Sequence, residues 1–171
     1  MTVVIFGFFA FIWFGWGQSN APAGLVIPLV IGTALGAVLA VTGIVLTRRA
    51  SGRLSATSDP DVGRRYGIIV GLEFGVLAAG AAALGVSGYG RWIPVWICAG
   101  VGVHFFPLAG TLANPTLRPL GVLLVLVAVA ALAAGLATAV APSTVTGLGA
   151  GLCLLLFGAA TALAKTKKNI V

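Results

Sequence analysis

Apolar residues in this chain neither alternate nor keep to one face of a helix; they run on with little interruption, six times, between short breaks of polar residues, Gly and Pro. A helix needs about 20 residues to cross the hydrocarbon core of a bilayer, and each run approaches that length. The first, from Thr2 to about Gly17, carries Phe6, Phe8, Phe9, Phe11, Trp13, Phe14 and Trp16 and lies near the short limit. It lacks the basic leader and small-residue cleavage site of a secretory signal, so it is expected as a mature helix. Its alternative is a segment lying in the interface, which leaves five spans. The second runs from about Pro22 to Thr47, with Pro22 and Pro28 near its start, where a missing N–H is best tolerated. The third covers Tyr66 to Val86, the fourth Trp92 to about Leu112 and the fifth Leu120 to about Val140. The sixth follows Ala141-Pro142-Ser143 and stops near Ala164.

The breaks orient the runs. Gln18-Ser19-Asn20-Ala21-Pro22 is an uncharged turn, Ser87-Gly88-Tyr89-Gly90-Arg91 a tight connection, and Asn114-Pro115-Thr116-Leu117-Arg118-Pro119 a turn by composition. Arg48 to Arg65 is the one long polar segment and reads as a mobile loop, too poor in apolar residues to fold alone. Six spans alternate sides, so the connections at 48–65 and 113–119 and the C-terminus share one face. They hold nine of the ten Lys and Arg residues, and Arg91 alone lies opposite. That bias predicts both termini in the cytoplasm. Trp13, Trp16, Trp92 and Trp96 fall toward the other ends of their spans, as an interfacial belt requires. The expected fold is all-α: an integral membrane bundle of six transmembrane helices, one domain over 1–171, with a basic cytoplasmic loop at 48–65. Two halves of three helices would have opposite topology, as in many transporters. The likeness between them stops at Gly and Ala content and the pair Val70-Gly71-Leu72 and Ala150-Gly151-Leu152, which is no repeat.

Composition agrees with a lipid solvent. Of the 171 residues 60% are hydrophobic and 8% charged, with a mean hydropathy of +1.14, whereas a soluble domain carries about a quarter charged residues. The net charge of +7 sits in the connections and sets orientation, so no nucleic-acid partner is expected; attraction to anionic lipid headgroups is a lesser contribution. Cys98 and Cys153 both lie in apolar runs and suggest neither a disulfide framework nor a metal site. Small residues recur at helical spacing in two spans, as Gly32, Gly36 and Ala40 and as Gly67, Gly71, Gly75, Ala78 and Ala82, the pattern of close helix contact in lipid and of a possible homo-oligomer.

Two ionisable side chains stand deep in apolar sequence, Glu73 and His104. An ionised carboxylate in hydrocarbon costs roughly 2.5 to 3.5 kcal/mol on insertion scales, so it calls for a partner, a proton or water. Glu73 lies about 12 Å of helical rise from the Arg65 edge, and His104 about 13 Å from the same face by its own span. A tight turn joins their helices, so contact is geometrically available. Glu73 points about 200° away from Gly71 and Gly75, on the face of Tyr66, Ile69, Leu77 and Gly80. Pro107 cannot donate to the carbonyl of Val103, which predicts a kink and a free acceptor one turn beyond His104. Cys98 lies off the His104 face, which argues against a Cys–His metal site. Two plainer readings stand beside a functional one: Glu73 reaching the headgroups, and His104 as a neutral ring bonded to nearby backbone. The sequence holds no nucleophile elbow, no HExxH, no paired carboxylates beside a His, and no mid-span Lys for a Schiff base, so neither enzyme activity nor a cofactor is expected.

The run Gly102-Val103-His104-Phe105-Phe106-Pro107-Leu108-Ala109 resembles a stretch of small, uncharacterised bacterial multi-pass membrane proteins, in which an acidic residue usually stands one helix earlier. The resemblance implies that His104 and Pro107 belong to one unit, and with the Gly, Ala, Val and Arg content it implies a bacterial inner membrane. The sequence therefore suggests a membrane protein that binds or transports a small solute or ion through Glu73, His104 and Pro107. The alternative is a non-transporting scaffold that packs against partner helices through its Gly faces.

Overall fold

The computed structural model describes residues 2–51, 60–111 and 114–168. Six α-helices follow one another, with no strand among the described residues: α1 Thr2–Gly17, α2 Ala23–Ser51, α3 Pro60–Val86, α4 Ile93–Thr111, α5 Leu117–Ala137 and α6 Pro142–Lys168. Single 3-10 turns over Gln18–Asn20 and Gly90–Trp92 close α1 and open α4. Among the described residues, five helices (α1, α2, α4, α5 and α6) are long and apolar enough to cross a membrane. In α3 the apolar stretch among the described residues covers Val70–Val86.

Several helices outrun their apolar stretches. α2 continues through Arg48 and Arg49 to Ser51, and α3 begins at Pro60, so the segment expected as a loop over 48–65 is helical at both ends; its middle, 52–59, lies outside the described residues. Arg is a good helix former, and a chain already helical in the bilayer extends through it at little cost. α5 starts at Leu117, with Pro119 in its first turn, and α6 has Pro142 as its first residue. At such positions a missing N–H breaks no helical bond. α6 likewise runs on through the basic C-terminal residues to Lys168.

The helices gather into two compact units. One comprises α1, α2 and α6, and the other α3, α4 and α5. In the first unit Phe14 of α1 is 1% exposed, its ring held between Gly32 of α2 and Gly151 of α6. A Cβ at Gly36 would stand 2.6 Å from the backbone nitrogen of Phe11, and one at Gly147 would stand 2.5 Å from the Cα of Gly17. Both α2 and α6 thus approach α1 backbone to backbone, which is possible only without side chains at those points. Trp13 is 3% exposed within this packing, where a belt residue would face the headgroups.

Candidate functional site

The second unit is built around α4. Its connection from α3 is a glycine-capped helix end: Gly88 has φ of 79°, the Tyr89 N–H donates to Leu84 O at 2.8 Å, and the Gly88 N–H donates to Gly85 O at 3.3 Å. This pair of bonds terminates a helix where Gly supplies the left-handed residue. The chain reverses there within a few residues, and α4 returns antiparallel to α3. At the same end Arg91 lies over the Trp92 ring, 4.6 Å from its centroid, and donates from Nη2 to Gly135 O at 2.6 Å. A cation thereby meets the exposed carbonyls at the end of α5 and pins α4 beside it.

α4 offers different faces to its two neighbours. Toward α5 it presents Gly102 and Phe105, and the buried Cys98 thiol reaches Leu124 O at 3.4 Å. A Cβ at Gly102 would lie 2.9 Å from Val125 N, and one at Gly121 would lie 2.7 Å from Gly102 O. Toward α3 it presents Trp96, Gly100 and His104, spaced one turn apart. These meet Gly80, Leu77 and Glu73 in the reverse order: Trp96 lies on Gly80, Leu77 on Gly100, and His104 Nδ1 against Glu73 Oε2. The register is constant, each turn forward on α3 matching a turn back on α4, which places the two ionisable groups opposite one another.

The carboxylate and the imidazole are mostly enclosed, with side-chain exposures of 17% for Glu73 and 12% for His104. His104 Nδ1 is buried and has no neighbour but Glu73 to bond with among the described residues. The contact sets Glu73 Oε2 against the imidazole. Phe105 borders the imidazole with ring centroids 6.0 Å apart. Two ionisable groups in contact can hold one proton between them, carry opposite charges, or bind a polar solute jointly. α4 continues as α-helix through Pro107 to Thr111, and Pro107 is exposed one turn from His104. Thr111 donates its hydroxyl to Pro107 O at 3.1 Å.

The glycines singled out from the sequence separate into two groups. Gly32 and Gly36 are filled by α1. Gly67, Gly71 and Gly75 have no other helix of their unit within 4 Å of where a Cβ would stand. The reason is angular: α3 turns its Glu73 face to α4, and the glycines lie on the far side of the same helix. Trp96, 38% exposed, also contacts α3, its indole N–H donating to Leu77 O at 3.1 Å.

A second polar group, in the first unit, went unread in the sequence. Ser143, Thr144 and Thr146 at the start of α6 are 5%, 0% and 0% exposed. Thr144 Oγ1 lies 3.4 Å from both Gly17 O and Asn20 O, and Thr146 donates to Ser143 O at 3.2 Å. Gln18 Nε2 donates to Thr33 Oγ1 at 2.7 Å and to Phe14 O at 3.3 Å. The available signal was three hydroxyls within one turn after a proline. Among the described residues no group of three or more His, Cys, Asp or Glu could hold a metal ion. No protein-family model matches the chain, and neither a curated protein nor a solved structure is detectably similar to it.

Proposed function

We propose that the chain is a multi-pass protein of a bacterial inner membrane that crosses six times with both termini cytoplasmic, and that it binds or moves a small solute or a proton at Glu73 and His104. One observation carries this reading: the sole Glu and the sole His of the sequence, on different helices, are placed against each other within apolar surroundings. A pair that served only to join helices would not need titratable groups, because Gly and backbone contacts already do that in the other unit. The charge bias supports the orientation, and the resemblance around His104 supports the membrane assigned. No enzymatic role is proposed. Pro107 has no N–H to give the carbonyl of Val103, which leaves that acceptor without its usual helical donor beside the pair.

Flux in proteoliposomes tests the reading. Transport predicts uptake by the native chain and its loss in Glu73→Gln, which keeps the shape of the side chain and removes its charge. Equal flux in both, or none in either, would sink it. A thermal-shift screen of small solutes, run on the native chain and on Glu73→Gln, would identify the class of solute.

A second reading is favoured by a different feature. Gly67, Gly71 and Gly75 form a smooth face without a partner in their unit, and a scaffold or subunit would use such a face to seat another helix. In that case the native protein would carry no flux, and substitution of these glycines would change its association state.

A further inference from the structure

The layers on the two sides of the Glu73 and His104 pair are not alike. Toward the Gly88 turn, the next layer is Leu77 on Gly100, and the one after it is Trp96 on Gly80. Each helix contributes one large side chain and one glycine, so each large side chain lies where the other helix has none. Leu77 is 5% exposed, and its carbonyl accepts the Trp96 indole N–H at 3.1 Å, which ties the two layers together with 38% of Trp96 left exposed. Toward the other end the register places Val70 and Pro107 next to the pair. Val70 is half-buried and Pro107 exposed, with no glycine in either position to receive a neighbour. The neighbouring Val103 is 59% exposed, and its carbonyl is the one that Pro107 leaves without an intrahelical donor.

We propose that Leu77 and Trp96, seated on Gly100 and Gly80, close the Glu73 and His104 pair off from the face of the membrane that bears the Ser87–Arg91 turn, so that the pair is reached only from the Pro107 side. The inference rests on the proposed function for its meaning, as the seal that keeps a solute or proton site open to one face at a time. Its geometry stands without it. Trp96 and Leu77 touch neither reacting group and act by exclusion, and the two glycines are what allow them to fit. A Cβ at Gly80 would lie 2.6 Å from Trp96 Cζ2, so even Ala there must displace the indole.

Thiol accessibility tests this in sealed vesicles of known orientation with a charged, membrane-impermeant methanethiosulfonate reagent. The probe is His104→Cys in a chain carrying Cys153→Ala; Cys98 remains because it is wholly buried. Reaction is expected from the Pro107 side and slower by about tenfold or more from the turn side, a difference of ~1.4 kcal/mol or more in barrier. Adding Trp96→Ala or Leu77→Ala should raise the turn-side rate about tenfold without changing the other. Should His104→Cys fail to assemble, Val70→Cys probes the next layer with the ionisable pair intact and is expected to show the same sidedness. Equal rates from both faces, or turn-side rates that neither substitution raises, would overturn the seal. The proposed function fails separately: one-sided labelling combined with flux that Glu73→Gln leaves unchanged would keep the seal and remove the role of Glu73.

Discussion

α2 and α3 both carry glycines at intervals of about one helical turn, and the two helices use them in opposite ways. Every α2 glycine from Gly32 onward is filled: Gly32 by the Phe14 ring, Gly36 by the backbone at Phe11, and Gly43 by the backbone at Val4. Among the described glycines of α3 only Gly80 is filled, while Gly67, Gly71, Gly75 and Gly85 are bare in their unit. The difference follows from what shares the helix. α2 has no ionisable group within its span, so its smoothest face is the best one to bury. α3 carries Glu73 opposite its smoothest face, and a carboxylate in lipid is costlier than an unfilled glycine groove, so the Glu face takes the intramolecular contact. Small-residue spacing therefore marks a surface able to pack closely, and the polar residue elsewhere on the helix decides whether it does so within the chain.

The largest expected effect of breaking this contrast is at the backbone crossing of α1 and α6. In Gly147→Ala the new methyl would stand 2.5 Å from Gly17 Cα and 2.7 Å from Trp13 O, with no flexible side chain to move aside. The helices must separate, and a loss of about 3 kcal/mol or more is expected. Reversible unfolding in mixed micelles, followed by tryptophan fluorescence, measures it. A midpoint equal to that of the native chain would mean that α1 and α6 do not cross at these residues.

Phe14→Ala comes next. It empties the site between Gly32 and Gly151. In lipid the transfer part of the penalty is small, because acyl chains are as apolar as the core. What remains is the cavity and its lost contacts, and about 2 to 3 kcal/mol is expected in the same assay. A larger side chain at Gly32 or Gly151 should restore part of that loss only when Phe14 has been removed, which distinguishes a filled cavity from general damage.

On α3 the sign reverses. Replacing Gly67, Gly71 and Gly75 together by Ala meets no atom of the unit, so the intrinsic preference of Ala in a helix should appear as added stability, up to about 1 kcal/mol per site in water and less in lipid. Loss of stability would show that another helix occupies the face. A change of association state by light scattering, with stability unaffected, would identify that helix as another molecule and would favour the scaffold reading.

How far these differences could be read in advance depended on the kind of interaction. Apolar run length carried the helices, because lipid imposes it on every span. Helical phase placed Leu77 and Gly80 on the Glu73 face, and the structure has all three against α4. Phase could not show that Trp13 would be buried in its unit or that Trp96 would lie on Gly80, since an indole near a helix end suits lipid headgroups and a glycine groove equally well. Nor could run lengths pair α6 with α1 and α2, because the Gly147, Gly151 and Gly158 face resembles that of α3 and only its neighbours tell the two apart. The buried hydroxyls of α6 were obscured by position: Ser and Thr after a proline read as a turn, and their burial depends on Gly17 coming close enough for Thr144 to reach its carbonyl.

The smallest effect belongs to the hydrogen bond that crosses from the end of α1 to α2. Thr33 accepts from Gln18 Nε2 at 2.7 Å and donates to Leu29 O of its own helix at 2.8 Å. In Thr33→Val the shape is kept and the acceptor is lost, yet Gln18 retains Phe14 O at 3.3 Å, so its amide is not stranded. Bonds of this kind between membrane helices average about 0.6 kcal/mol, and a loss of that order is expected, well below either change in the α1 packing. A double-mutant cycle with Gln18→Leu isolates the pair. A coupling near zero would assign the joining of α1 and α2 wholly to their glycines, whereas a coupling above about 1.7 kcal/mol, the upper end for such bonds, would mean that the polar end of this unit contributes as much as its packed middle.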